Sequence, residues 1–106
     1  MVDDTRVVRL AELEIDPRTL AAYLGLLREE IEASVAIEPG VIMLHGVQVR
    51  GAPELVRLFE VYASRAAYEA HIGSPHFLKY KAATATMVKS LRLIDVDPIV
   101  LAAKAT

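Results

Sequence analysis

His71 and His76 stand five residues apart in the stretch Leu58 to Tyr80, which also holds three of the four tyrosines and both phenylalanines. Histidine is the side chain whose unperturbed pKa lies closest to neutrality, so each can take a proton from a weakly acidic hydroxyl such as a phenol. They are the candidate catalytic residues. Tyr62, Phe77, Tyr80 and Glu60, with His45 further upstream, are the candidates for holding a substrate ring and its oxygens. Each has a structural alternative. His71 can face carbonyls at a helix end, His76 can be a polar first-turn residue, and His45 can be a hydrogen-bonded residue on a sheet face. Phe77, Tyr80, Thr84 and Val88 can be a helical stripe of core.

The local sequence predicts how these residues are brought together. Leu55 to Ala63 is apolar and aromatic enough for a strand, and Ser64 can cap a helix running to about Ile72, where Gly73 stops it. Ser74 and Pro75 restart a helix expected to reach Lys89. His71 then ends one helix and His76 begins the next, a joint suited to the mouth of a cleft. Within the strand, Glu60 and Tyr62 alternate onto one face with Val56 and Leu58, while Phe59 and Val61 point the other way. Alternation alone leaves open which face meets the helices.

The remaining elements follow in order. Arg6 to Ile15 reads as a strand, closed by Asp16 and Pro17, which open a helix. Leu20, Tyr23, Leu24, Leu27, Ile31 and Val35 form its apolar stripe, with Arg28, Glu29, Glu30 and Glu32 on the other side. Glu38, Pro39 and Gly40 end it. Val41 to Val49 is a second strand, joined through Gly51, Ala52 and Pro53 to the third as a hairpin, and Ser90 to Asp97 is the fourth. The order β-α-β-β-α-β, with the second helix broken, is the split βαβ pattern of an α+β ferredoxin-like domain.

The 106 residues allow one domain over 1–106 with a modest core. Hydrophobic residues make up 54% and the mean hydropathy is +0.34. Both faces of the strands are apolar, and the tail beyond Pro98 holds Ile99, Val100 and Leu101. A homodimer is expected, with residues 98–106 docking on the partner subunit. No apolar run is long enough to span a bilayer and no leader is evident, so a cytoplasmic protein without membrane contact is expected. Cysteine is absent, which excludes disulfides and thiol chemistry. The net charge of -2 offers no basic stripe for nucleic acid. The three histidines, separated by 26 and then five residues, match none of the usual short-range metal-ligand spacings, so no metal is expected.

The Glu38-Pro39-Gly40 turn, Phe59-Glu60-Val61-Tyr62, and above all the segment His71 to Tyr80 with its Gly73-Ser74-Pro75-His76-Phe77 centre resemble the antibiotic biosynthesis monooxygenase family, in particular its small quinol monooxygenase-like members. The resemblance covers nearly the whole chain. It implies a dimeric α/β barrel in which two sheets face each other, with a pocket in each subunit between helices and sheet. For some members it also implies oxidation of a phenol or quinol by O2 without a cofactor. Haem-degrading relatives use asparagine, tryptophan and an axial histidine, whereas this chain has neither of the first two and carries Lys81 at the ligand position. Two other classes remain as alternatives. One is an isomerase or lyase acting on a small polar metabolite, which would want Lys or Arg in the pocket. The other is a ligand-binding dimer without turnover.

Overall fold

The computed structural model describes residues 5–105. Residues 1–4 and 106, which complete the expected domain and tail, lie outside the described residues. The elements are β1 (Val7–Ile15), a 3-10 turn (Pro17–Thr19), α1 (Leu20–Ile37), β2 (Val41–Val49), β3 (Ala52–Tyr62), α2 (Arg65–Ile72), α3 (Pro75–Thr84) and β4 (Val88–Val96). The strands form one antiparallel sheet in the order β2-β3-β1-β4. This is the ferredoxin-like α+β arrangement with its second helix broken in two. No helix among the described residues is long and apolar enough to cross a membrane.

The caps explain the break. Ser64 accepts from the Ala67 amide at 3.1 Å and Ser74 from the Phe77 amide at 3.3 Å. Ser74 also donates to the His71 carbonyl at 2.7 Å, fastening the end of α2 to the start of α3. At the end of α1, Pro39 pushes Glu38 out of the helical region, to φ -93 and ψ 112. Gly40 then lies so close to α2 that a Cβ there would stand 2.5 Å from the Ala67 Cβ. The β2-β3 turn is tighter than expected: β3 begins at Ala52, and Gly51 takes a positive φ of 86.

Two expectations need correction. The helix predicted to Lys89 ends at Thr84, whose hydroxyl donates back to the Tyr80 carbonyl at 2.8 Å. Thr84, Thr86 and Val88 are β-branched and favour leaving the helix, and Met87 is pinned when its carbonyl accepts the Asp16 amide at 2.8 Å. Val88 is therefore a strand residue. In α1 the buried stripe runs through Tyr23, Leu27, Glu30 and Ser34, so Glu30 faces inward, while Val35 is half exposed.

Cross-strand register assigns the faces. The rows Asp95-Arg9-Glu60, Leu93-Ala11-Leu58 and Leu91-Leu13-Val56 lie on the helix side. The core sits there, around Ile15, Tyr23, Leu27 and Val56. Burying a side chain such as Ile15 contributes about 1.5–3 kcal/mol. The opposite face carries the row Ile94-Leu10-Phe59-His45. Beyond Val96 the chain is irregular, and Ile99 and Val100 stand in solvent.

Candidate active site

A cavity of about 360 Å3 opens between the sheet and the helices α2 and α3. Its apolar floor is Ala11, Leu13 and Leu58, and Leu91 and Leu93 of β4 stand half exposed at its open side. Glu60, Tyr62, His71, Phe77 and Tyr80 line it, together with Arg9, Tyr68 and Lys81. Tyr62 thus faces the cavity, which settles the alternation left open by the sequence. Phe77 packs on the His71 ring with centroids 5.0 Å apart, and Tyr62 does so at 5.2 Å.

His45 lies elsewhere. It pairs with Phe59 on the opposite face of the sheet, exposed and away from the cavity. Its candidacy rested on strand position alone, and the period-two alternation of β2 carries it outward. Another hollow of about 370 Å3, between α1 and β2, is lined by groups such as Leu24, Ile31 and Gly46 and contains no histidine.

His71 is buried and His76 is half buried, and one residue that the sequence had marked only as a helix stop joins them. Glu38 Oε2 lies 2.9 Å from His71 Nδ1 and 2.5 Å from His76 Nε2. On the other side of the ring, His71 Nε2 is 3.4 Å from Glu30 Oε1, which accepts from the Ser34 hydroxyl at 2.9 Å. Glu30 had a legible signal, since it falls three residues after Leu27 and four before Ser34 on the buried stripe. Glu38 had none, because its partners are more than thirty residues away in the chain.

Burial would raise the Glu38 carboxyl, but the hydrogen bonds and charge of His71 and His76 outweigh it and hold Glu38 below the ordinary carboxylate range. Burial pushes Glu30 up, against the opposing effects of Ser34 and the two histidines. Tyr62 is raised by burial and then by the charge of Glu60, to which its hydroxyl donates at 2.6 Å. Tyr80 is also raised by burial, and its hydroxyl meets that of Tyr23 at 2.6 Å. At neutral pH both tyrosines are hydrogen-bond donors, not bases.

The donor atoms of Glu38, His71 and His76 lie within 4.8 Å of one another. The 2.9 and 2.5 Å contacts are hydrogen-bond lengths. Two ligands on a tetrahedral zinc with bonds of about 2.0–2.1 Å would stand about 3.3 Å apart. As placed, the three side chains are joined by hydrogen bonds through Glu38 Oε2. Arg9 closes one end of the cavity, its Nη1 donating to the Tyr68 hydroxyl and its Nε 2.9 Å from Asp95.

A ferredoxin-like α+β domain with a cavity between sheet and broken helix, and an acid-bridged histidine pair in its wall, defines the class of protein. The model of the antibiotic biosynthesis monooxygenase family matches residues 6–83, and the chain belongs to that family. It is similar over 96% of its length to a structure from Bacteriodes thetaiotaomicron VPI-5482 that is provisionally named an antibiotic biosynthesis monooxygenase, with 44% identity, 97% of that chain covered and a TM-score of 0.92. A provisionally named monooxygenase from Lactobacillus acidophilus NCFM shares 27% identity over 91% of this chain, at a TM-score of 0.83, and this chain spans 52% of its length. A Nitrosomonas europaea structure at 19% identity shares the fold, with a TM-score of 0.85, 93% of this chain and 95% of that one covered. No protein of curated function matches the chain.

Proposed function

We propose that the protein is a monooxygenase that oxidises a small quinol or phenol with O2 in this cavity. The observation that carries the reading is His71, held by Glu38 in the wall of an aromatic and aliphatic cavity, with Nε2 on the side away from Glu38. His71 takes the proton of the substrate hydroxyl, Phe77 and Tyr80 pack on the ring, and Tyr62 with Glu60 orients its oxygens. The phenolate gives one electron to O2, and the resulting phenoxyl radical and superoxide join through a new C–O bond. Loss of the ring proton at that carbon breaks the peroxide O–O bond, leaving a carbonyl on the ring and hydroxide, which becomes water. One oxygen enters the product and the other is reduced, with all four electrons coming from the substrate. The residues named need no resident cofactor for this sequence, and the protein's share is a base, oriented donors and exclusion of water.

Oxygen uptake by the purified protein across a panel of quinols, phenols and anthrones tests the reading. Consumption that is no faster than uncatalysed autoxidation for every compound would end it. A second reading, an isomerase or lyase acting on a small polar metabolite, is favoured by Arg9 and Lys81 in the same wall.

The working form in this proposal is a homodimer in the cytoplasm, closed into a barrel by the open face that carries Leu10, Phe59, Ile94 and His45. The tail 98–106, with Ile99 and Val100, covers the partner. Such an interface buries more than about 2,000 Å2 in total. Analytical ultracentrifugation is expected to show a dimer at micromolar concentration, and a folded monomer there would contradict it.

A further inference from the structure

We propose that His71, Glu38 and His76 form a proton exchanger in which one carboxylate balances one imidazolium at a time, so that uptake of a substrate proton by His71 releases a proton from His76 to solvent. The inference rests on the reading of His71 as the base.

Both histidines address the same oxygen, Glu38 Oε2, and their ring centroids are 6.4 Å apart. An ionised carboxylate only accepts, so the nitrogens facing it, His71 Nδ1 and His76 Nε2, both carry hydrogens. The remaining positions differ. His71 Nε2 faces Glu30, and His71 lines a hollow of about 40 Å3, adjoining the main cavity, together with Glu30, Glu60, Tyr62 and Tyr80. His76 lies nearer the surface, its side chain 16% exposed against 4% for His71. Hydration favours charge on the outer ring, and a second imidazolium so close would be opposed by the first. The groups facing the pair are Glu30 and Glu38 from α1 and its end, Glu60 and Tyr62 from β3, and Tyr80 from α3. Burial drives Glu30 toward its neutral form and Glu60 is engaged by the Tyr62 hydroxyl, while Glu38 is the carboxylate that both rings contact.

At rest His76 is the imidazolium and His71 is neutral, with its Nε2 carrying no hydrogen and turned toward Glu30. When a substrate O–H bond breaks, an Nε2–H bond forms on His71, and the Nδ1–H bond of His76 breaks to give its proton to water. The substrate anion remains in the cavity, the trio keeps its total charge, and no electron moves. Hydroxide formed later in the cavity takes the His71 proton, and His76 recovers one from solvent. Glu38 is a positioning residue, since it fixes the tautomer of His71 without touching substrate.

Long-range 15N–1H spectra of the histidine rings in the intact protein, recorded against pH without substrate, test the coupling. Two separate protonation steps are expected, with His76 keeping its proton to the higher pH and His71 showing the Nδ1–H tautomer. The variant His76→Gln should let His71 hold its proton to higher pH, because the opposing imidazolium is gone. Glu38→Gln should lower protonation of both rings and mix the His71 tautomers. An unchanged His71 titration in both variants would overturn the exchanger. So would stoichiometric binding of Zn2+ alone with loss of both ring N–H signals, because the trio would then be a metal centre. The oxidation reading fails separately, through absent oxygen uptake while the coupling is intact.

Discussion

The variant His71→Ala is expected to lose about 10^2- to 10^4-fold in turnover, the usual weight of a general base, while the fold persists. The residue is 3% exposed, and its ring contacts both Phe77 and Tyr62 and faces Glu30 as well as Glu38, so it is the one histidine placed to meet a substrate in the cavity. His76→Ala should cost less, because His76 does not line the cavity and acts on His71 through Glu38. The wild-type rate should rise with pH as the base loses its proton, since it works only when neutral. His71→Gln is a useful companion, because it retains a hydrogen-bonding side chain beside Glu38 without offering a base. Its circular dichroism should match wild type while its rate matches His71→Ala. Undiminished quinol oxidation in both alanine variants and in the double variant would remove the histidines from the mechanism, leaving autoxidation of substrate in an apolar cavity.

The second large effect is expected far from any reacting atom, at Gly40. A methyl group there would stand 2.5 Å from the Ala67 Cβ and 3.4 Å from its Cα, so α2 must move outward or the turn must open. Neither is easy. The Gly40 carbonyl accepts the Ala63 amide at 2.8 Å, and Ser64 caps α2 immediately afterwards. Gly40→Ala should therefore destabilise the fold by about 1–3 kcal/mol, as overpacking does, measured by urea unfolding. Because α2 carries His71 and the turn carries Glu38, activity should fall further than the lost folded fraction explains. Adding Ala67→Gly removes the obstructing methyl and should restore much of both, less about 0.5–1 kcal/mol for a glycine inside a helix. If Gly40→Ala is as stable and active as wild type, close packing of the turn on α2 has no part in placing the site.

Much of the fold was legible because its signals are local. Asp16-Pro17, Ser64, Gly73 and Ser74-Pro75 each act on amides within a few residues, and alternation in β3 needs no distant partner. Where the structure departs from local pattern, the causes are also physical. The helix expected to Lys89 stopped at Thr84 because β-branched residues and the bond from the Asp16 amide to Met87 outweighed a helical stripe. Glu30 is expected outside from its charge, but its spacing from Leu27 and Ser34 sets it on the buried stripe, where the Ser34 hydroxyl donates to it.

The sequence by itself determined the element order, the broken second helix, and the gathering of His71, Phe77 and Tyr80 beside one another, since these depend on residue type and short spacing. Only the tertiary structure decided that Tyr62 faces the cavity, that His45 faces away, and that Glu38 joins His71 to His76. Those outcomes depend on which face of the sheet the helices cover and on contacts between residues more than thirty positions apart, and neither is written in any local pattern.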